Sequence, residues 1–308
     1  MAQNAATATK GAVRNGNLAS VRENTAKGVF IALAAFSILA VFAIVIYLLS
    51  ASIPAFREIG LFKFLFGSKW SASHNIFGIL PMIVTSLVLT VLSVLLGGIL
   101  AIFTAVYMVY YCPIWMKKIY EQIINLLAGI PSLIFGYFGL VVLKPVMEDM
   151  FHVGSASGLL LSTIVLSVMI LPTITSLVKN SLENVPMHYY EGALALGCTK
   201  NQAVWKVCLP AAKNGIIAAV ILGIGRAVGE TMAVQLLLGN QVRYPTDFFL
   251  PIRSLTSNVM LEFGYSTGLH REALIATGFV LLIFILIINL CLWAVKKNDS
   301  IAGNKFFS

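Results

Sequence analysis

The sequence predicts an all-α polytopic membrane protein with six transmembrane helices and both termini in the cytosol. Three observations predict it. Of 308 residues, 59% are hydrophobic and only 11% are charged, whereas soluble domains carry about a quarter charged residues. The apolar residues gather into continuous runs of about 20 or more, the length a helix needs to cross the hydrocarbon core. Lysine and arginine are also unevenly shared. With the N-terminus inside, inner segments hold thirteen of them and outer segments seven, with Arg226 left in the membrane. The net charge of +9 lies between apolar runs and forms no stripe, which argues against nucleic acid as a partner. Cys112, Cys198, Cys208 and Cys291 show neither C-x-x-C pairing nor metal spacing, and all fall near the inner side, where thiols stay reduced.

Residues 1–28 are polar and rich in small residues and read as a flexible cytosolic tail. A retained first span, Val29 to Ser50, follows, since its run is too long for a signal peptide. It is the membrane part of a 29–76 segment that ends in an external loop. The core, 77–295, opens with an overlong second span, Phe77 to Tyr111, which must tilt or project. The third, Ile119 to Leu143, is interrupted by G-I-P-S, and the fourth, Gly158 to Val178, contains Pro172. The fifth runs from Gly215 to Leu238 and the sixth from Ala273 to Val295, before a tail at 296–308. His74, His152, His188 and His270 lie scattered in loops and read as ordinary surface histidines.

The inner segment 186–213 predicts an elbow of two short helices. One runs from about Pro186 to Leu196 and stops at Gly197. The next opens at Thr199, with Gln202 three residues on in a capping-box pattern, and ends before Pro210. Leu194, Leu196, Val204, Trp205 and Val207 are expected to be exposed there, as a docking surface or as an amphipathic pair on the membrane.

The fifth span, GIIAAVILGIGRAVGETMAVQLLL, holds both Arg226 and Glu230. A charge at mid-bilayer costs at least about 2.5–3.5 kcal/mol, so each needs a partner or a wet cavity. On one continuous helix the two stand at i,i+4 and are expected to pair. Gly225 and Gly229 share that spacing and are expected to let another helix approach closely. Either the pair locks helices together, or it faces a pathway where the planar fork of Arg226 meets an anion. In the third span, Gly129 and Pro131 predict a hinge or break. Backbone freed there, with Ser132, is placed to contact cargo, because irregular backbone at membrane depth lines cavities or is buried in protein. A kink used only for packing is the alternative.

EGALALGCTKNQAVWKVCLP resembles the coupling motif of ATP-binding-cassette (ABC) importer permeases. Glu191, Ala193, Gly197, Leu209 and Pro210 stand at the motif positions, with Gly192 and Val207 as departures. Together with AGIPSLIFG and GRAVGETMAV, it resembles the permeases of phosphate-specific importers, most nearly the PstC type. The resemblance implies the type I ABC importer permease fold and an elbow that docks on an ATPase. It further implies a phosphate path containing Arg226, Glu230 and Thr231. The implied partners are a second, PstA-type permease, two PstB-type ATPases, a PstS-type external phosphate-binding protein and membrane lipid. ATP and Mg belong to the ATPase, because this chain has no G-x-x-x-x-G-K-[ST] and is expected to bind no cofactor and catalyse nothing itself. The implied location is a bacterial or archaeal plasma membrane. A sister PstA-type permease, a permease for another oxyanion, a secondary anion transporter or channel, and a sensor that moves nothing are the alternatives.

Overall fold

The computed structural model describes the backbone of residues 2–304 and the side chains of residues 25–291. The tail assignments at 1–28 and 296–308 fall mostly outside the described side chains. The chain divides into two units, Met1–Ala51 and Ser52–Ser308. The first lies within one helix, α1 (Ala2–Ala55), whose last turn belongs to the second unit, and most of its apolar side chains from Val29 to Leu49 are exposed, as a lipid-facing span requires.

In the second unit a π turn, Phe56–Gly60, leads from α1 into the short helix α2 (Leu61–Phe66). A two-stranded hairpin follows, with β1 (Trp70–Ser71) antiparallel to β2 (Ile76–Phe77). Next come α3 (Leu80–Val106), extended by a π turn to Tyr111, and α4 (Ile114–Gly129). α5 (Ser132–Phe138) passes through a π turn into α6 (Lys144–Phe151), and α7 (Leu159–Glu183) crosses next. The elbow holds α8 (Met187–Ala195), α9 (Lys200–Ala203) and α10 (Leu209–Ala211). α11 (Lys213–Gly229), α12 (Met232–Leu237), α13 (Leu255–Glu262) and α14 (Gly268–Asn304) complete the order.

Among the described residues four helices are long and apolar enough to cross a membrane, and two bent pairs bring the total to six when each counts as one span. α7 is the central span: 67% of its apolar window is buried, against 17% for the last span. It packs on α3 at near backbone distance. A Cβ on Gly97 would lie 2.6 Å from the Ser167 carbonyl oxygen. The Ser167 hydroxyl donates to the Ser93 carbonyl at 3.1 Å, so small and hydroxylated residues join these helices where no water competes.

One expectation about the spans is met and one is corrected. The third span is broken at G-I-P-S, as its Gly129 and Pro131 predict. α4 and the arm beginning at α5 meet at 94°, because Pro131 removes a donor and holds Ile130 extended at φ −72°, ψ 127°. The fifth span is likewise two helices, α11 and α12, parted at Glu230 and Thr231, with Glu230 at φ −69°, ψ 125°.

Candidate functional site

The elbow is built from two local caps. Gly197 adopts φ +87°, its N–H donates to the Leu194 carbonyl at 3.0 Å, and the Cys198 N–H donates to Ala193 at 3.1 Å. These two bonds close α8 as a Schellman motif, which needs the left-handed conformation that glycine adopts without strain. The Thr199 N–H donates to Gln202 Oε1 at 2.9 Å and the Gln202 N–H to Thr199 Oγ1 at 3.3 Å, so the capping box is complete. The second helix does not stop before Pro210. A π turn, Val204–Cys208, shifts the hydrogen-bond ladder and carries the helix on to Ala211.

Leu196 stands at the tip of the elbow, 89% exposed, with Leu194 and Trp205 also exposed. Val204, expected at the surface, is fully buried, and Val207 is half-buried. Among the motif residues Glu191 and Pro210 are exposed, Leu209 is half-buried and Ala193 is buried. The far end of the second span reaches the elbow. Phe103 and Trp205 rings lie 5.6 Å apart, and the Tyr111 hydroxyl donates to Asn201 Oδ1 at 2.8 Å. The elbow then turns by 68° into α11.

Arg226 occupies the last turn of α11 and donates to Thr173 Oγ1 on α7 at 3.1 Å. Thr173 lies near the middle of Leu159–Glu183. The expected Arg226–Glu230 pairing is overturned: no ion pair joins them, because the helix ends between them and the i,i+4 geometry is lost. Each charge instead meets a helix end of suitable sign. Arg226 lies in the last turn of α11, at the negative end of its dipole, and Glu230 Oε1 accepts from the Ala233 N–H at 3.3 Å, at the start of α12. The Thr256 hydroxyl donates to the Glu230 carbonyl at 3.0 Å, and Thr231 Oγ1 donates to the Gly229 carbonyl at 3.2 Å. A cavity of about 10 Å3, close to the room one water needs, lies between Ser86, Thr90, Glu230 and Thr256.

Residues 93–297 match the family described as binding-protein-dependent transport system inner membrane component. The chain belongs to this family. It is similar to the probable ABC transporter permease protein YqgH of Bacillus subtilis, at 39% identity over 74% of this chain and 76% of that one. It is also similar to the phosphate transport system permease protein PstC of Xylella fastidiosa, at 33% identity over 72% and 74%. Among solved structures, a bacterial alginate ABC transporter, crystallised with its alginate pentasaccharide-bound periplasmic protein, matches with TM-score 0.59. That match has 16% identity and covers 84% of this chain and 92% of that one. The fold is therefore that of ABC importer permeases, in a multi-pass membrane protein.

Within this permease fold, nothing in the described chain lies within 4 Å of a Cβ built on Gly225 or Gly229, so no helix of this chain makes the expected close approach there. The close approaches belong to other glycines. A Cβ on Gly136 would lie 2.7 Å from Ala233 Cα, and one on Gly139 would lie 2.9 Å from the Leu237 side chain. These contacts advance together along both chains, so α5 and α12 run in the same direction. Their preceding breaks, Gly129–Pro131 and Glu230–Thr231, therefore lie at the same end of the pair. Half-buried Ser132 opens α5 at that end, and among the described residues no hydrogen bond joins it to Arg226, Glu230 or Thr231.

A second polar cluster had no signal in the sequence. Glu262 accepts from Arg253 at 2.6 Å and from Trp70 Nε1 at 2.8 Å, and bonds His270 at 2.8 Å. His270 is thus no ordinary surface residue. Burial pushes the Glu262 carboxyl up, but the bonds from Trp70, His270 and Arg253, with the charge of Arg253, outweigh it and hold the group below its usual range. The cluster fastens the hairpin, α13 and α14 together, and the α13 start in turn touches Ser86 and Glu230: the Leu255 N–H donates to Ser86 Oγ at 3.0 Å. Three partners, from the hairpin, the segment before α13 and the start of α14, produce no local motif around Glu262.

Proposed function

We propose that this chain is a PstC-type membrane subunit of an ATP-driven phosphate importer. It forms half of the translocation path and passes ATPase motion to the membrane helices. One observation carries the reading. The exposed, doubly capped elbow leads straight into α11, whose last turn carries Arg226. A push on the elbow is thereby delivered to the one arginine that stands at mid-span beside a broken helix. Phosphate as cargo rests on the names of relatives such as the Xylella fastidiosa PstC protein and on the affinity of a guanidinium for phosphate oxygens.

In this reading the elbow lies in the cytosol, and so do both termini. The elbow docks on one of two PstB-type ATPases, which bind ATP and Mg, while this chain binds no cofactor and catalyses nothing. A PstA-type permease supplies the second half of the path, and a PstS-type protein delivers phosphate from outside, at a bacterial or archaeal plasma membrane. Glu191, Ala193, Gly197, Leu209 and Pro210 couple the chain to the ATPase. Arg226, Glu230, Thr231 and Ser132 line the path, and Gly129 and Pro131 hinge it. Phosphate uptake into proteoliposomes tests the reading. Uptake is expected only with both permeases, the ATPase, ATP and the external protein, and uptake by this chain without the ATPase would refute it.

A further inference from the structure

A cavity of about 760 Å3, unrelated to the path or the elbow, opens between α2 and the hairpin. It lies at the opposite end of the second span from the elbow, since the Leu80 end of α3 joins the hairpin and the Tyr111 end touches Asn201. α2 has two unlike faces. Phe64 is fully buried and meets Phe56 edge-on at 5.6 Å. Phe62 and Phe66, one turn apart, stack at 6.3 Å and are 77% and 63% exposed. Lys63 and Lys69 line the same cavity with Asn75 and a single acid, Glu58. Neither lysine takes part in an ion pair among the described residues.

The walls are fastened to each other. The Gly78 N–H donates to the Lys69 carbonyl at 2.8 Å, Leu80 to Gly67 at 3.1 Å and Ile79 to Phe64 at 3.0 Å. Gly67 and Gly78 meet backbone to backbone, at a distance where a Cβ on Gly78 would lie 2.4 Å from the Gly67 carbonyl carbon. The lysines are therefore carried on a fixed frame.

We infer that this cavity binds the headgroup of an anionic phospholipid. The rim presents two demands at once: unpaired ammonium groups call for a negative charge, and the exposed phenylalanine stack calls for hydrocarbon. A phospholipid whose headgroup keeps a net negative charge meets both with one molecule, its phosphate between Lys63 and Lys69 and its acyl chains along Phe62 and Phe66. A free phosphate answers only the first demand. Lysine stems lie along apolar surface while their heads reach phosphate level, the habit of this side chain at a bilayer boundary.

The test uses the full chain purified with the subunits that accompany it, in nanodiscs of phosphatidylcholine with or without phosphatidylglycerol. Native mass spectrometry measures retained lipid, and thermal unfolding measures stabilisation. The parent complex is expected to retain phosphatidylglycerol in preference to phosphatidylcholine. K63Q and K69Q should each lower that preference about fivefold, and the double variant about 25-fold, from the usual attraction of a surface lysine to anionic lipid. K63R/K69R should keep most of it. Equal retention of the two lipids by the parent, or an unchanged preference in K63Q/K69Q, overturns the inference. Stabilisation by inorganic phosphate in pure phosphatidylcholine that is present in the parent complex and lost in K63Q/K69Q assigns the site to a free anion and overturns it too.

Discussion

Arg226 reaches Thr173 across the α11–α7 contact at 3.1 Å and leaves Glu230, four residues on, without an ion pair among the described residues. The guanidinium has five donors, and this bond uses one. Among the described residues the rest make no hydrogen bond or ion pair, which leaves them available to an anion.

R226Q should lower phosphate uptake by about 30-fold, the loss of a charge-assisted contact worth roughly 2 kcal/mol. T173V removes only the positioning bond and should cost about fivefold or less. Both complexes should assemble normally. Loss of assembly in R226Q, seen by size-exclusion chromatography, would instead mark Arg226 as a packing residue.

Because the two charges are not paired, R226Q and E230Q should act independently. In a double-mutant cycle on thermal stability their coupling should stay within about 0.5 kcal/mol. A coupling well above 1 kcal/mol would mean that the helix closes over residues 230–231 and the pair forms.

The left-handed Gly197 makes the elbow sensitive to a single methyl group. G197A should destabilise the α8 cap by about 1–2 kcal/mol and weaken co-purification with an ATPase. L196E leaves the caps intact and changes only the exposed tip, so it should weaken the same docking with no change in the melting temperature of the membrane subunits. Wild-type co-purification of L196E would remove the tip from the interface.

Glu262 links the hairpin side to pH. Its folded carboxyl titrates below the ordinary value of 4.5, so its stabilisation is present above that value and is lost as pH falls through the lower folded one. Thermal stability should hold from neutral pH down to about 4.5 and decline only below it. E262Q should flatten that acid decline and, by leaving the half-buried Arg253 without its anion, cost about 2 kcal/mol at neutral pH. An acid profile identical to wild type would exclude Glu262 as the titrating group.

Local patterns made much of this protein legible. Apolar run length determined where the spans lie, because a bilayer demands about 20 apolar residues of any helix that crosses it. Gly197, Thr199 and Gln202 determined the elbow caps, because these bonds close within a few residues of one another. Pro131 signalled its own break by removing a donor. The break at Glu230 was not legible, since nothing between Gly229 and Met232 forbids a helix. It depends on Thr256 from a distant segment taking the Glu230 carbonyl, and on the Glu230 side chain taking the Ala233 N–H. The glycine contacts moved for a similar reason. A small-residue pair permits close approach, but only the packing decided that Gly136 and Gly97 would be the ones used within this chain. His270 and Glu262 show the same division: residue type made each a possible partner, and only the tertiary fold, bringing Trp70 and Arg253 to the same carboxylate, made them a cluster.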